Sequence, residues 1–317
     1  MMIRVWQDGT LSDSNLEELV ANNKKKMWFD VTDPSIEDLE KLAAALKVPR
    51  SSLIGKLSSN YSHVDSYPDY TKVFAWYLNT KGLGKDITSD MTPVIAFTNG
   101  LIVVSVSRSW VGLSNKIAQS YESPRYTSLS NTARVIYLTL DHVLESYEYF
   151  VDSFEAKAEK MEDQTPPWPR SAYMEAFVIR REASSLLRQL RHLKRLAEAL
   201  TDNHTELGIN ELEKRLFDGL FERSTGAVET TEVTHETMQD LIGMHMDTLS
   251  QDLNKTMRLI AALTVIIGVP SLFNTLFGSN ISGTLSGWFP WVEIIISILT
   301  MFLLGLFFYL RGWLSLS

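Results

Sequence analysis

Apolar and polar positions alternate differently in three stretches of the chain, and each stretch predicts a different kind of element. Over residues 1–130 the apolar runs are short and bounded by turn residues. Met27-Trp28-Phe29-Asp30-Val31 predicts a strand. It leads through Asp33-Pro34 to Ser35 and Asp38, the spacing of a capping box, and then to a helix over Ile36–Leu46. Tyr70–Leu78 predicts another strand. Val94–Phe97 and Leu101–Val106 flank Thr98-Asn99-Gly100, and Asn-Gly between two apolar runs predicts a hairpin. From about Asn131 the period becomes helical. Asn131–Gln164 predicts one long helix, stopped by Thr165-Pro166-Pro167-Trp168-Pro169, and Ser171–Thr201 a second, the pair forming an antiparallel hairpin. A third helical section starts near Asn210 and runs on toward the C-terminal end, with Gly219 and Gly226 as candidate interruptions.

The third stretch is apolar on every side. Leu259–Phe277 and Trp291–Leu310 are runs of 19 and 20 residues, close to the roughly 20 that cross the hydrocarbon of a bilayer as a helix. One such run fits a buried core helix. Two of them, separated by 13 residues at the end of the chain, fit a pair of membrane spans. Lys255 and Arg258 precede the first span and Arg311 follows the second, whereas the connecting residues 278–290 hold no Lys or Arg. The positive-inside rule then places both termini in the cytoplasm. Trp288, Trp291 and Trp313 stand where interfacial aromatics are expected. Glu293, the only charged side chain from Leu259 to Leu310, lies near the end of a span, where anchoring at the outer interface and a functional role are both open.

Composition narrows the chemistry. At 317 residues the chain suits about two domains. It holds no cysteine, which excludes disulfides, thiolate metal sites and cysteine nucleophiles. Residues 1–9 lack the apolar core of a secretory signal, so the front section is expected in the cytoplasm. A net charge of −8 speaks against a general nucleic-acid binder and suits a surface that attracts cations. The first 130 residues offer neither a nucleophile triad nor a phosphate-binding glycine loop. His63 is isolated and reads as a surface residue. The first arm of the helical hairpin is acidic toward its tip (Asp152, Glu155, Glu159, Glu162, Asp163), and its return arm is basic (Arg180, Arg181, Arg188, Arg191, Lys194, Arg195). Complementary solvated faces explain this, as does an acidic arm that gathers cations beside a basic belt facing other subunits or lipid head groups.

One seam on the last long helix carries the functional signal. Steps of three and four residues give Glu236, Asp240, Gly243, Asp247, Ser250, Asn254, Met257, Ala261, Thr264, Gly268, Ser271, Thr275 and Gly278. Apart from Met257 each is acidic, polar or small, and an average step near 3.5 keeps them on one helical face. Close packing of helices explains Ala261, Gly268 and Ser271. It explains Glu236, Asp240 and Asp247 badly, because a tight seam would stack like charges. A ring of identical helices around water accommodates both halves and requires an oligomer, since two spans cannot enclose a channel. Met257, with Leu253 and Ile260 beside it, would then form an apolar constriction that gates by dewetting.

At Asn254-Lys255-Thr256-Met257, Val269-Pro270-Ser271-Leu272 and Phe277-Gly278-Ser279-Asn280 the sequence resembles the CorA metal-ion transporter family. Members of that family place a proline eight or nine residues before a Gly-Met-Asn signature. Here Pro270 stands eight residues before Gly278, and Ser279 replaces the methionine. Trp28-Phe29-Asp30-Val31 and Leu101–Val106 are similar to family landmarks. The resemblance implies an α+β cytoplasmic domain (1–130), a cytoplasmic helical hairpin and stalk (131–256), and a transmembrane domain (257–317), assembled as a funnel-shaped homopentamer. It implies that Gly278, Ser279 and Asn280 form a selectivity filter in which Asn280 binds a cation through its water shell, which suits Mg²⁺ because that ion dehydrates reluctantly. A helix C-cap is the other reading of Gly278 and Asn280. Asn254, Met257, Ala261, Thr264, Gly268, Ser271 and Thr275 would line the pore, and Glu236, Asp240 and Asp247 would concentrate cations along the stalk.

Three family acids have no counterpart, and the one common in the loop after the signature is missing from Ile281–Pro290. The one that senses cytoplasmic Mg²⁺ aligns with Gly219, leaving only the adjacent Asp218 as a regulatory candidate. The one on the stalk's central face aligns with Gly243. The expected function is divalent-cation transport, Mg²⁺ first, with Co²⁺ and Ni²⁺ as companions. Two alternatives stay open: zinc transport like that of the ZntB branch, and a non-conducting membrane-anchored sensor or scaffold of the same fold. The six histidines supply no recognisable zinc cluster. No cofactor is expected, the divalent cation being cargo and a candidate regulator. The expected partners are further copies of the chain and membrane lipid, the expected site a cell membrane, and no catalytic constellation points to an enzyme.

Overall fold

The short apolar runs of the first stretch become a seven-stranded mixed sheet in a computed structural model, which describes residues 1–7, 9–21, 26–50, 61–79, 91–99, 101–107, 113–164, 168–201, 209–278 and 289–314. The strands are β1 (Met2–Gln7), β2 (Thr10–Ser14), β3 (Met27–Thr32), β4 (His63–Tyr67), β5 (Tyr70–Leu78), β6 (Met91–Thr98) and β7 (Ile102–Ser107), in the order β2-β1-β3-β7-β6-β5-β4. All neighbours are antiparallel except β3 and β7. The predicted hairpin is β6–β7, in which Asn99 Oδ1 accepts from the backbone N–H groups of Leu101 and Ile102 at 3.1 and 3.0 Å.

One face of the sheet is apolar and lies under α1 (Leu16–Ala21) and α2 (Ile36–Leu46), which bury Leu19, Leu39 and Leu42 with Phe29, Val31, Phe74, Ile95 and Val104. The sequence ends of α2 are those of the structure, because the capping box forms. Ser35 Oγ accepts from Asp38 N–H at 3.2 Å, and the Asp38 carboxylate accepts from Ser35 N–H at 3.0 Å. These two hydrogen bonds, the side-chain one first, hold the Asp38 carboxyl below its ordinary range. A depressed folded-state pKa stabilises above the unfolded value and loses its contribution as pH falls through the folded one. Ser35→Ala is therefore expected to cost about 1 kcal/mol at neutral pH, a fall of about 2–4 °C in Tm, and less below about pH 4. Thermal unfolding of the two proteins at pH 7 and pH 3.5 checks it.

The other face carries the polar members of the Trp28–Val31 run. Trp28 is buried, donates through Nε1 to Ser105 Oγ at 2.9 Å, and joins Trp6 and Tyr121 in a cluster of three mutually contacting rings. Asp30 is buried and fully engaged: Arg4 Nη2 lies 2.8 Å from one carboxylate oxygen and Ser105 Oγ donates to the other at 2.8 Å. Alternation in β3 thus sends Phe29 and Val31 to one layer and Trp28 and Asp30 to the opposite one. Over this second face lie α3 (Leu113–Tyr121) and α4 (Asn131–Glu162), the latter anchored where the Tyr147 hydroxyl donates to the Trp76 carbonyl at 2.8 Å.

α5 (Arg170–Thr201) packs on α4 and on the edge strand β4. His63 departs from its sequence reading. It sits in β4, half-buried, with its ring stacked on Phe74 at 5.3 Å, because the edge strand turns that side chain inward.

α6 (Glu211–Gly278) is one helix of 68 residues. A second capping box starts it: Asn210 Oδ1 accepts from Glu213 N–H at 2.9 Å, and the Glu213 carboxylate accepts from Asn210 N–H at 2.9 Å. The same carboxylate also accepts from Ser130 N–H at 2.7 Å, so one buried acid ties the beginnings of α4 and α6 together. Arg223 clamps α6 to α4 further along, bidentate on Glu148 at 2.7 and 3.1 Å and in contact with Asp141. The expected interruptions at Gly219 and Gly226 do not occur. Each glycine costs a helix only about 1 kcal/mol, and the neighbouring contacts of Phe217, Leu220 and Arg223 outweigh that.

By compactness the chain falls into two units, Met1–Gln164 with Arg170–Asp240, and Thr165–Pro169 with Leu241–Ser317. In the second unit Trp168 is buried against His245, the rings stacked at 5.7 Å and the Trp168 N–H donating to Nδ1 at 3.1 Å. α7 (Phe289–Leu310) completes this unit.

Candidate functional site

In the most apolar stretches of α6 and α7 only 11 % and 6 % of the residues are buried. A core helix would be covered on most sides, so these are helices whose apolar surface is left for something outside the chain.

Within the second unit α6 has two dissimilar faces. Ala262 and Pro270 are buried, Leu259, Ile266 and Val269 are half-buried, and Ser297 of α7 donates to Asn274 Oδ1 at 2.6 Å. At about 100° per residue these positions cluster on one side of the helix. Ala261, Thr264, Gly268, Ser271 and Thr275 cluster roughly opposite, and apart from half-buried Gly268 they are exposed. The small and hydroxylated seam is thus not the face that holds α7.

The hydroxyls of that seam are oriented by the helix. Thr264, Ser271 and Thr275 each donate to the carbonyl four residues earlier, those of Ile260, Ile267 and Ser271, at 2.8 Å. Each proton is consumed within the helix, which leaves oxygen lone pairs to point outward. An outward row of acceptors without competing donors suits water and cations. Gly268 adds a smooth gap, since a Cβ placed there would meet nothing within 4 Å in the single chain.

Toward the stalk, Gly243, Asp247, Ser250 and Asn254 are exposed, as are Glu236 and Asp240 in the first unit. Leu253, Met257 and Ile260 are 67 %, 69 % and 56 % exposed. Three large apolar side chains left uncovered side by side on one helix mark a surface made for contact or for a dry constriction. Gly278 is the last residue of α6, and Ser279 and Asn280 lie outside the described residues. Asp218 is half-buried on α6. Among the described residues no group of three or more histidines, cysteines or acids converges to hold a metal ion. His245, one of two stalk histidines, already accepts through Nδ1.

Among the described residues, the acidic and basic arms of the α4–α5 hairpin form no ion pair with each other. Arg191 pairs instead with Glu232 of α6 at 2.5 Å, and Lys194 lies over the Phe221 ring. Sequence reasoning missed the Arg223 clamp, the Trp168–His245 contact and the Ser297–Asn274 bond. All three join residues distant in the chain, and no local period announces them.

The model of the CorA-like Mg2+ transporter protein family matches residues 23–311. The chain is 19 % identical over 284 residues to the cobalt/magnesium transport protein CorA of Methanocaldococcus jannaschii, covering 89 % of this chain and 88 % of that one. The solved structure of the M. jannaschii CorA magnesium transporter superposes with a TM-score of 0.78 at 14 % identity, over 98 % of each chain. The full-length CmaX protein follows at 0.76 and 15 %, covering 98 % of this chain and 96 % of that one. The ZntB cytoplasmic domain of Vibrio parahaemolyticus reaches 0.63 at 12 %, covering 79 % and 98 %. A mixed-sheet N-terminal domain, long helices and two apolar C-terminal helices, matched along nearly the whole sequence, make this chain a member of the CorA-like Mg²⁺ transporter family.

Proposed function

We propose that copies of this chain assemble, as a homopentamer, into a passive channel for hydrated divalent cations, Mg²⁺ first. The observation that carries this reading is the position of the α6 seam. It is polar or small, its hydroxyls present acceptors outward, and it lies on the side of the helix away from α7. In lipid the outward lone pairs of this face would meet no donor, and its small residues would offer acyl chains less apolar surface than the leucines and isoleucines elsewhere on the helix. Copies arranged with that face inward give it water. Asn254, Met257, Ala261, Thr264, Gly268, Ser271 and Thr275 then line the pore, and Gly278, Ser279 and Asn280 form its outer mouth. Rings of Glu236, Asp240 and Asp247 raise the cation concentration at the inner mouth. Lys255, Arg258 and Arg311 keep both termini in the cytoplasm, with the protein in the cell membrane.

Mg²⁺ ranks above Zn²⁺ because the lining offers hydroxyl and amide oxygen, hard ligands that suit a hydrated ion, and, among the described residues, no imidazole cluster. The transport names carried by the M. jannaschii relative agree. Uptake into proteoliposomes holding a divalent-sensitive dye tests the reading, with Mg²⁺, Zn²⁺, Co²⁺ and Ni²⁺ in competition. Mg²⁺ influx above that of empty vesicles is expected, and absence of flux for every ion favours the sensor or scaffold. At the constriction Met257→Asn is expected to raise basal Mg²⁺ influx by about threefold or more, since a wetted ring removes the dewetting barrier. Unchanged influx assigns the gate elsewhere.

A further inference from the structure

The first unit holds a cleft of about 420 Å³ that ion transport does not use, within the roughly 300–1,000 Å³ of small-molecule sites. It opens where β5 and β6 meet α5, and its two walls differ in chemistry. Trp76 of β5 and Met91 of β6 give an apolar wall. Tyr61 extends it, its ring stacked on His192 of α5 at 4.7 Å and 23°. The α5 wall is polar: Ser185, Arg188, Gln189 and His192 recur at helical spacing and so share one face.

Two of these groups are in states that suit a ligand. Arg188 is exposed, and among the described residues no carboxylate pairs with it; Nη1 makes one long hydrogen bond to Ser184 Oγ at 3.4 Å. Arg191 and Arg223, by contrast, are held by Glu232 and by Glu148 with Asp141. Burial, and then the nearby charge of Arg195, push the His192 pKa down. The imidazole therefore stays a neutral stacking surface rather than a second cation.

The geometry points to a binding site for a small organic anion with a planar ring, of mononucleotide size, the ring lying on the Tyr61–His192 and Trp76 wall and the anionic group on the Arg188 guanidinium. Arg188 provides the fork that matches phosphate or carboxylate oxygens, and Gln189 and Ser185 provide donors and acceptors for the edge of the ring. Aromatic stacking with one cation and a few neutral polar groups selects for both halves of such a ligand at once.

Calorimetric titration of the detergent-solubilised full chain in EDTA tests this with four probes: AMP, phenyl phosphate, adenosine and ribose 5-phosphate. EDTA keeps divalent cations off the phosphates. AMP or phenyl phosphate is expected to bind saturably, one per chain, with Kd below about 1 mM, and the ring-only and phosphate-only probes about tenfold more weakly or not at all. Arg188→Gln and Tyr61→Ala are each expected to weaken binding about tenfold, with an unchanged melting temperature showing that the exposed substitutions leave the fold intact. No saturable heat from either ring-bearing phosphate overturns the proposal. Equal binding of ribose 5-phosphate, or an Arg188→Gln protein that binds as the parent does, overturns it as well.

Discussion

Leucine in place of Gly268 is expected to cut Mg²⁺ flux about tenfold or more while leaving the chain folded and the oligomer assembled. A Cβ at Gly268 meets nothing within 4 Å in the single chain, so the first carbon of Gly268→Leu enters open space. The substitution also gains helix propensity of nearly 1 kcal/mol. Any loss of function is then expected to come from what lies beyond the chain. In a ring of copies with this seam inward, each leucine projects into the path of a hydrated ion, and the bulk of several such side chains closes it. If the seam is instead a tight helix–helix contact, the added side chain overpacks that contact and the oligomer falls apart. Flux measured together with the size of the detergent-solubilised particle separates the two. Lost flux with intact size supports a wet axis, and lost assembly supports a packed one.

The second large effect is expected at Asn280. In the proposed channel a ring of Asn280 carboxamide oxygens at the mouth would recognise a cation through its first shell of water, reaching further than the Ser279 hydroxyl. Asn280→Ala is expected to lower Mg²⁺ uptake about tenfold or more, or to change the ranking of Mg²⁺ against Zn²⁺, Co²⁺ and Ni²⁺. If Asn280 only caps the end of α6, the alanine variant loses about 1 kcal/mol of stability and transports as before. Competitive uptake, read beside a melting curve, distinguishes these outcomes.

Much of the fold was legible because burial forces periodicity. β3, β5 and the β6–β7 hairpin lie in the centre of the sheet, where both faces are covered and apolar residues accumulate. The edges were not legible. β2 reads Thr-Leu-Ser-Asp-Ser with hardly a buried position, and β4 reads His-Val-Asp-Ser-Tyr, so neither carries an alternating signal. Glycines mid-helix mislead in the opposite direction. Gly219 and Gly226 weaken α6 locally, yet Phe217, Leu220 and Arg223 hold it to the rest of the unit, and tertiary contacts override propensity.

The candidate site divides in the same manner. The polar seam of α6 was readable because hydroxyls and glycines stand out at a step of 3.5 in an apolar helix. The face that holds α7 was not, since Leu259, Ala262, Ile266 and Val269 look like every other apolar residue there. Among the described residues the Ser297–Asn274 hydrogen bond gives that face a polar marker. The cleft at Tyr61, Trp76 and Arg188 joins three separate regions of sequence, which no pattern along the chain connects.

Absence of cysteine gives a direct route to the central question, which is whether the α6 seam faces water in the assembled protein. Single cysteines at Thr264 and Ser271, with controls at Ile295 and Phe302 on the exposed side of α7, are reconstituted and treated with a membrane-impermeant, positively charged thiol reagent. The account predicts rapid modification at 264 and 271, slowed by millimolar Mg²⁺, and no modification at 295 and 302. Seam thiols that resist this reagent and react only with a lipid-soluble one contradict it.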